Sequence, residues 1–100
     1  MKNMRDMLKQ AQKMQEEIQK KLEQTVVEAG AGGGMVTVRM NGNKQLLGIE
    51  IDPEVLAGED KEMLQDLIVA AVNEASRRVD EAMAGQLGNL AENLKLPGIG

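Results

Sequence analysis

The apolar positions of the first 24 residues recur at alternating steps of three and four. Met4, Met7, Ala11, Met14 and Ile18 make the repeat, with Leu8 and Leu22 beside it. That period predicts one amphipathic helix over residues 2–24. The intervening Lys, Gln, Glu and Arg residues are good helix formers. Thr25-Val26-Val27-Glu28 is short and β-branched and predicts a brief strand. Ala29 to Gly34, reading A-G-A-G-G-G, predicts a flexible break. From Met35 to Met40 the pattern changes to alternation, with Val36, Val38 and Met40 on one face and Thr37 and Arg39 on the other. Asn41-Gly42 marks a turn, because both residue types tolerate positive φ. Gln45 to Asp52 is the return strand, and period two puts Leu47, Ile49 and Ile51 on one face. Asp52-Pro53 ends that strand, with Asp52 placed to cap a helical turn over 53–57.

A second long helix opens at Gly58-Glu59-Asp60, with acids suited to its positive end. Its stripe runs through Leu64, Leu67, Ile68, Ala71, Val72, Ala75, Val79, Ala82 and Met83. Gly85 and Gly88 weaken its end. Residues 90–100 read as a flexible tail, with a helical turn stopped by Pro97-Gly98. No linker or internal repeat interrupts residues 1–100. The reading is a single α+β domain in the order α-β-β-β-α: a three-stranded antiparallel sheet with two long helices. A helix over 60–84 is about 37 Å long, whereas a compact domain of this size has a radius of gyration of about 13 Å. The apolar stripes therefore exceed what one subunit can cover, and a symmetric homodimer is expected.

Composition narrows the chemistry. The chain has no Cys and no His, so disulfides, Cys/His zinc sites and thiol catalysis are out. Ser76 is the only serine and sits mid-helix with no His to activate it. Its expected role is packing or surface, and no enzyme is expected. Glu50 and Asp52 share a strand face, but Asp52 has a capping role available, so no metal is expected there. Gly30 to Gly34 lacks the Lys-Ser/Thr and helix of a P-loop. No cofactor and no small-molecule substrate are implied. No run of about 18 apolar residues exists to span a membrane. The polar, charged start is not a secretory signal, and an intracellular location is expected.

Phe, Tyr and Trp are absent as well. Single-stranded nucleic acids are usually bound by stacking bases on aromatic rings, so duplex binding through the backbone is the better fit. Net charge is −4, but it is unevenly spread. Residues 1–21 hold six basic groups (Lys2, Arg5, Lys9, Lys13, Lys20 and Lys21) against three acids, for a net +3; the rest carries −7. Residues 50–66 alone hold seven acids against Lys61. A basic arm on an acidic body is the pattern of a directional binding surface.

On helix 1, Lys2, Arg5, Lys9, Lys13 and Lys20 lie opposite the apolar stripe. The row spans about 27 Å, commensurate with a B-DNA turn of about 34 Å. Taken alone it reads as a solvated helix face, interrupted by Glu16 and Glu23. Arg77 and Arg78 on the second helix either add a contact or pair with Glu74, Asp80 or Glu81. The Met4, Met7 and Met14 stripe reads as core or dimer packing, with an adaptable groove for partner helices as the other reading.

Gly34-Met35-Val36-Thr37-Val38, Asn41-Gly42 and Ile49-Glu50-Ile51-Asp52-Pro53-Glu54-Val55-Leu56 follow one another in order. Glu62-Met63-Leu64-Gln65-Asp66-Leu67-Ile68-Val69-Ala70-Ala71-Val72-Asn73-Glu74-Ala75 comes after them. These segments resemble the YbaB/EbfC family of bacterial nucleoid-associated DNA-binding proteins, as does Lys9-Gln10-Ala11-Gln12-Lys13-Met14-Gln15. Many members carry a Gly- and Phe-containing leader and a Phe near the C-terminus; this chain instead starts almost at the helix and ends Leu96-Pro97-Gly98-Ile99-Gly100. The resemblance implies a cytoplasmic, tweezer-shaped homodimer of α-β-β-β-α fold acting at the nucleoid on double-stranded DNA. It turns the basic stripe into the candidate DNA surface: Lys2, Arg5, Lys9, Lys13 and Lys20, with Arg77 and Arg78. Lys outnumbers Arg in that stripe, which favours low sequence specificity. The competing expectation is a homodimeric protein-interaction adaptor without physiological DNA binding.

Overall fold

The computed structural model describes residues 3–94, with side chains placed from Asn3 to Gln86. The elements are α1 (Met4–Gln24), β1 (Val26–Ala31), β2 (Val36–Asn41), β3 (Leu46–Ile51), α2 (Pro53–Ala57) and α3 (Lys61–Leu94). The sheet is antiparallel throughout, in the order β1-β2-β3. The α-β-β-β-α order expected from periodicity is the order found.

Local chemistry explains where each helix begins. Asn3 caps α1 by accepting from the Asp6 amide at 3.0 Å. Asp52 caps α2 through the Glu54 amide at 2.9 Å, with Pro53 in the first turn. Asp60 accepts from the Met63 amide at 3.0 Å and starts α3. Each cap satisfies an amide that has no partner within its helix.

One sheet face is buried. Val36, Val38 and Met40 of β2 pack with Ala29 of β1 against Ala71, Ala75 and Val79 of α3. The alanines matter here: small side chains at 71 and 75 let α3 lie close on the strands. Val27, Ala31, Ile51, Leu64, Leu67, Ile68, Val72 and Met83 border this core. The helix packs chiefly across β1 and β2, and β3 is left at its margin. Ile49 on β3, though paired with buried Val38, stays 44% exposed.

Four expectations are corrected. β1 is not confined to 25–28 but runs to Ala31, because Ala29, Gly30 and Ala31 pair with Val38, Thr37 and Val36. The break shrinks to the turn after Ala31, where Gly32, Gly33 and Gly34 have φ of 64°, 67° and 94°. Any larger residue would be strained at these left-handed angles.

The second correction is the β2–β3 turn. The left-handed residue there is Lys44, at φ 61°, rather than Asn41 or Gly42. Asn41 is buried, and its Oδ1 accepts from the Asn43 and Gln45 amides at 3.0 Å. The side chain thus shapes the loop, and Gly42 serves a different purpose described below.

Third, the period-two face expected through Leu47, Ile49 and Ile51 is broken at Leu47, because a bulge between Arg39 and Met40 shifts the register and pairs Met40 with Leu46. Fourth, α3 passes Gly85 and Gly88 and continues to Leu94. Two glycines cost about 1 kcal/mol each against Ala, and the neighbouring Ala, Leu, Gln and Glu residues are strong formers that carry the helix through. Residues 95–100 of the expected tail lie outside the described residues.

The molecule is elongated. Its radius of gyration is 19.5 Å and its extents are 68 × 32 × 16 Å, against about 13 Å for the radius of a compact chain of this length.

Candidate nucleic-acid interface

Both long helices contribute to this length, α1 with 21 residues and α3 with 34, but α1 is the one with little packing. None of its 21 residues is buried. Its apolar stripe is open, with Met4 at 79% and Ile18 at 54% exposed. The attachment lies at its C-terminal end. The Gly42 amide donates to the Leu22 carbonyl at 2.8 Å. A Cβ at Gly42 would sit 2.6 Å from that same oxygen and 2.9 Å from the Leu22 Cα. The glycine is therefore required for the backbone of α1 to dock. Thr25 closes the helix, its hydroxyl donating to the Lys21 carbonyl at 2.6 Å. Gln86 on α3 reaches the same Thr25 hydroxyl at 3.1 Å.

These contacts set the direction of both long helices. Leu67 of α3 lies beside Gly32, Arg78 beside Glu28 and Gln86 beside Thr25. The helix thus runs back along β1 and leaves the sheet at the end from which α1 departs. The acidic segment over 50–66 surrounds α2 and the start of α3, at the opposite end.

On α1, Arg5, Lys9, Lys13 and Lys20 are all exposed. At 100° per residue they occupy the side opposite Met4, Met7, Ala11, Met14 and Ile18. The apolar and basic faces can thus be used at the same time. Among the described residues every ion pair lies on Lys44 or on α3, and none on α1. Lys2 lies outside the described residues.

Arg77 and Arg78 are differently placed. Arg77 grips Glu74 with two nitrogens, Nε to Oε2 at 3.1 Å and Nη2 to Oε1 at 2.5 Å, and also pairs with Glu81. Arg78 Nε reaches Glu74 Oε1 at 3.2 Å, and its Nη1 donates to the Glu28 carbonyl at 2.5 Å. The Arg77 hydrogen bond, followed by that of Arg78, outweighs desolvation and lowers the Glu74 carboxyl from 4.5 to about 2. Of the two roles open to these arginines in the sequence, pairing with Glu74 and Glu81 is the one seen. Asp80 instead pairs with Lys44 at 3.0 Å.

Two features of the site were missed from sequence. The Gly42 contact with Leu22 hid behind a dipeptide that reads as a turn. The Thr25–Gln86 link joins residues 61 apart, and no local pattern announces it.

The sequence profile of the YbaB/EbfC DNA-binding family matches residues 1–94. The chain belongs to the YbaB/EbfC family. Among its relatives, a nucleoid-associated protein of Koribacter versatilis is 58% identical over 96 residues, covering 96% of this chain and 95% of the relative. One from Alkaliphilus metalliredigens is 49% identical over 100 residues, covering 97% and 88% respectively. An uncharacterized Helicobacter pylori protein, HP0035, has a crystal structure that superposes with a TM-score of 0.70 at 30% identity. That match covers 85% of this chain and 89% of the other. The match to the solved structure agrees with the α-β-β-β-α fold.

Proposed function

We propose that this YbaB/EbfC protein is a non-enzymatic, nucleoid-associated homodimer that binds double-stranded DNA through the phosphate backbone with low sequence specificity. The observation that carries this reading is α1. It stands away from the body with no buried residue, apolar on one side and basic on the other. The apolar side supports a dimer, and the basic side supports phosphate contact. The family description and the relatives' names support DNA binding at the nucleoid. The binding row is Arg5, Lys9, Lys13 and Lys20, continued toward Lys2. Arg77 and Arg78 are neutralised by carboxylates on their own helix, so the interface rests on α1. Lysines bind phosphate as point charges and carry little base information. Such a protein organises DNA, and influences expression, through occupancy and shape rather than by reading a site.

The test is a gel shift over a salt series. Four to eight phosphate contacts per dimer give a slope of log K against log[salt] of roughly −4 to −7. Replacing Arg5, Lys9 and Lys13 together with Gln keeps helix propensity. It should leave the dimer folded, weaken binding to all duplex sequences alike and flatten the slope. An unchanged slope, with protein partners retained, would favour an adaptor instead.

A further inference from the structure

The end of the molecule away from α1 carries a groove of its own. α2 is a single turn, and it lies beside the first turn of α3. Between them is a groove of about 490 Å³, open to solvent. Val55, Leu56 and Leu64 give it an apolar lining, and Glu59, Asp60 and Lys61 complete it. Val55 is buried, yet it stands outside the cluster that α3 packs against the sheet. Leu56, one residue on, is 57% exposed.

The groove falls within the segment over 50–66, where seven acids stand against Lys61 alone. Two of these acids serve the fold: Asp52 caps α2 and Asp60 caps α3. Glu54 and Glu62 sit in first helical turns, where the helix dipole favours a negative charge. Glu59 has neither reason to be acidic. Its φ is 57°, a left-handed angle that suits Gly or Asn. The glycine stands one position earlier, at Gly58, in ordinary right-handed backbone. Among the described residues no ion pair involves Glu54, Glu59, Glu62 or Lys61. The carboxylates around the groove are therefore free to meet charges from outside the chain.

We propose that this groove docks a basic amphipathic helix of a second protein. Its apolar side chains seat on Val55, Leu56 and Leu64, and its Lys or Arg residues meet Glu54, Glu59 and Glu62. Charge complementarity names the occupant. An apolar groove with an acidic border favours an apolar stripe with basic flanks, the helix-in-groove mode of recognition. Like charge excludes acidic segments and nucleic acid from the same place. The chain's own α1 has the right chemistry, but it leaves the sheet at the opposite end and cannot reach the groove of its own chain. Resting on the roles proposed for α1 above, the α1 of a second copy is already engaged by the dimer and by phosphate. The occupant is thus a different protein, held at one end of the molecule while DNA is held at the other.

Fluorescence anisotropy with two labelled synthetic peptides tests this without DNA, so its outcome is independent of the DNA reading. One peptide is a helix of leucines and lysines with the leucines at i, i+3, i+4 and i+7. The other has the same composition with its leucines scattered around the helix. The full-length protein should bind the first at least about tenfold more tightly than the second, a difference of about 1.4 kcal/mol. Leu56→Lys should remove that preference. Val26→Lys, which puts the same charge at a 52% exposed position at the far end of the sheet, should keep it. Glu59→Gly relieves the left-handed angle and should raise the melting temperature. It should nevertheless weaken the first peptide about two- to fivefold, the worth of one exposed charge pair. That variant decides the matter if Leu56→Lys fails to fold. Equal binding of the two peptides, or wild-type affinity in both Leu56→Lys and Glu59→Gly, would overturn the proposal. So would a change in sedimentation on Leu56→Lys, which would make a second copy the occupant of the groove.

Discussion

The two long helices of this protein carry the same kind of periodic pattern and meet opposite fates. α1 separates its apolar and polar faces more cleanly than α3, yet none of its residues is buried. α3 mixes its faces more, yet holds Ala71, Ala75 and Val79 at 0–1% exposure against the sheet. Amphipathicity shows that a helix has a face to bury. It does not show whether the covering surface belongs to the same chain. A helix packed along a sheet touches neighbours on several sides and tolerates apolar residues around much of its circumference. A helix standing in water keeps every side but one polar.

The sharpest way to break this comparison is to enlarge a side chain on each helix. Ala75→Leu forces a bulky group between α3 and β2 and should cost about 1–3 kcal/mol in urea unfolding. Ala11→Leu, at an exposed position of the α1 stripe, should change the stability of the protomer by less than about 0.5 kcal/mol. If the two cost the same at concentrations where monomer prevails, α1 is packed on its own body and the contrast fails.

The contrast also shows what the sequence makes legible. Where one element decides, the residues suffice: Val36, Val38 and Met40 alternate and are all buried, and Asp52-Pro53 ends β3 and opens α2. Where two elements decide, they do not. Gly30 and Ala31 read as a break because Gly weakens a strand locally, but pairing with Thr37 and Val36 overrides that preference. Gly42 reads as half of a turn because its true constraint, the Leu22 backbone, is 20 residues away. The candidate DNA face was legible as a helical stripe. The partners of Arg77 and Arg78 were legible only as alternatives, since i+3 and i+4 spacing permits a pair without requiring it.

A smaller effect sharpens the distinction at the tip of α1. Asn3→Ala removes the cap on the Asp6 amide and should cost about 1 kcal/mol. Because the first turn touches nothing buried, the loss should appear as fraying. Amide exchange should rise in the first turn and stay unchanged in β1 to β3. Protection lost throughout the sheet would show that α1 is coupled to the core along its length.

The smallest effect lies on α3. The folded Glu74 carboxyl titrates at about 2, below its ordinary 4.5. A depressed folded value favours the native state above pH 4.5, and that contribution fades as pH falls toward about 2. Glu74→Gln should therefore lower the melting temperature slightly at neutral pH, and the gap from wild type should close between pH 4.5 and about 2. Added salt should narrow it too, because the cluster is open to solvent. A gap that stays constant through that range would place the arginines elsewhere.

The Gly42–Leu22 contact also makes α1 a lever. A helix of this length rises about 32 Å. Turning it by about 10° at its base would sweep the Met4 end through about 5–6 Å, more than the roughly 3.4 Å axial step between phosphates on one DNA strand. On the proposed DNA interface, the phosphate that Arg5 reaches is thus decided about 26 Å away, by a residue with neither charge nor side chain.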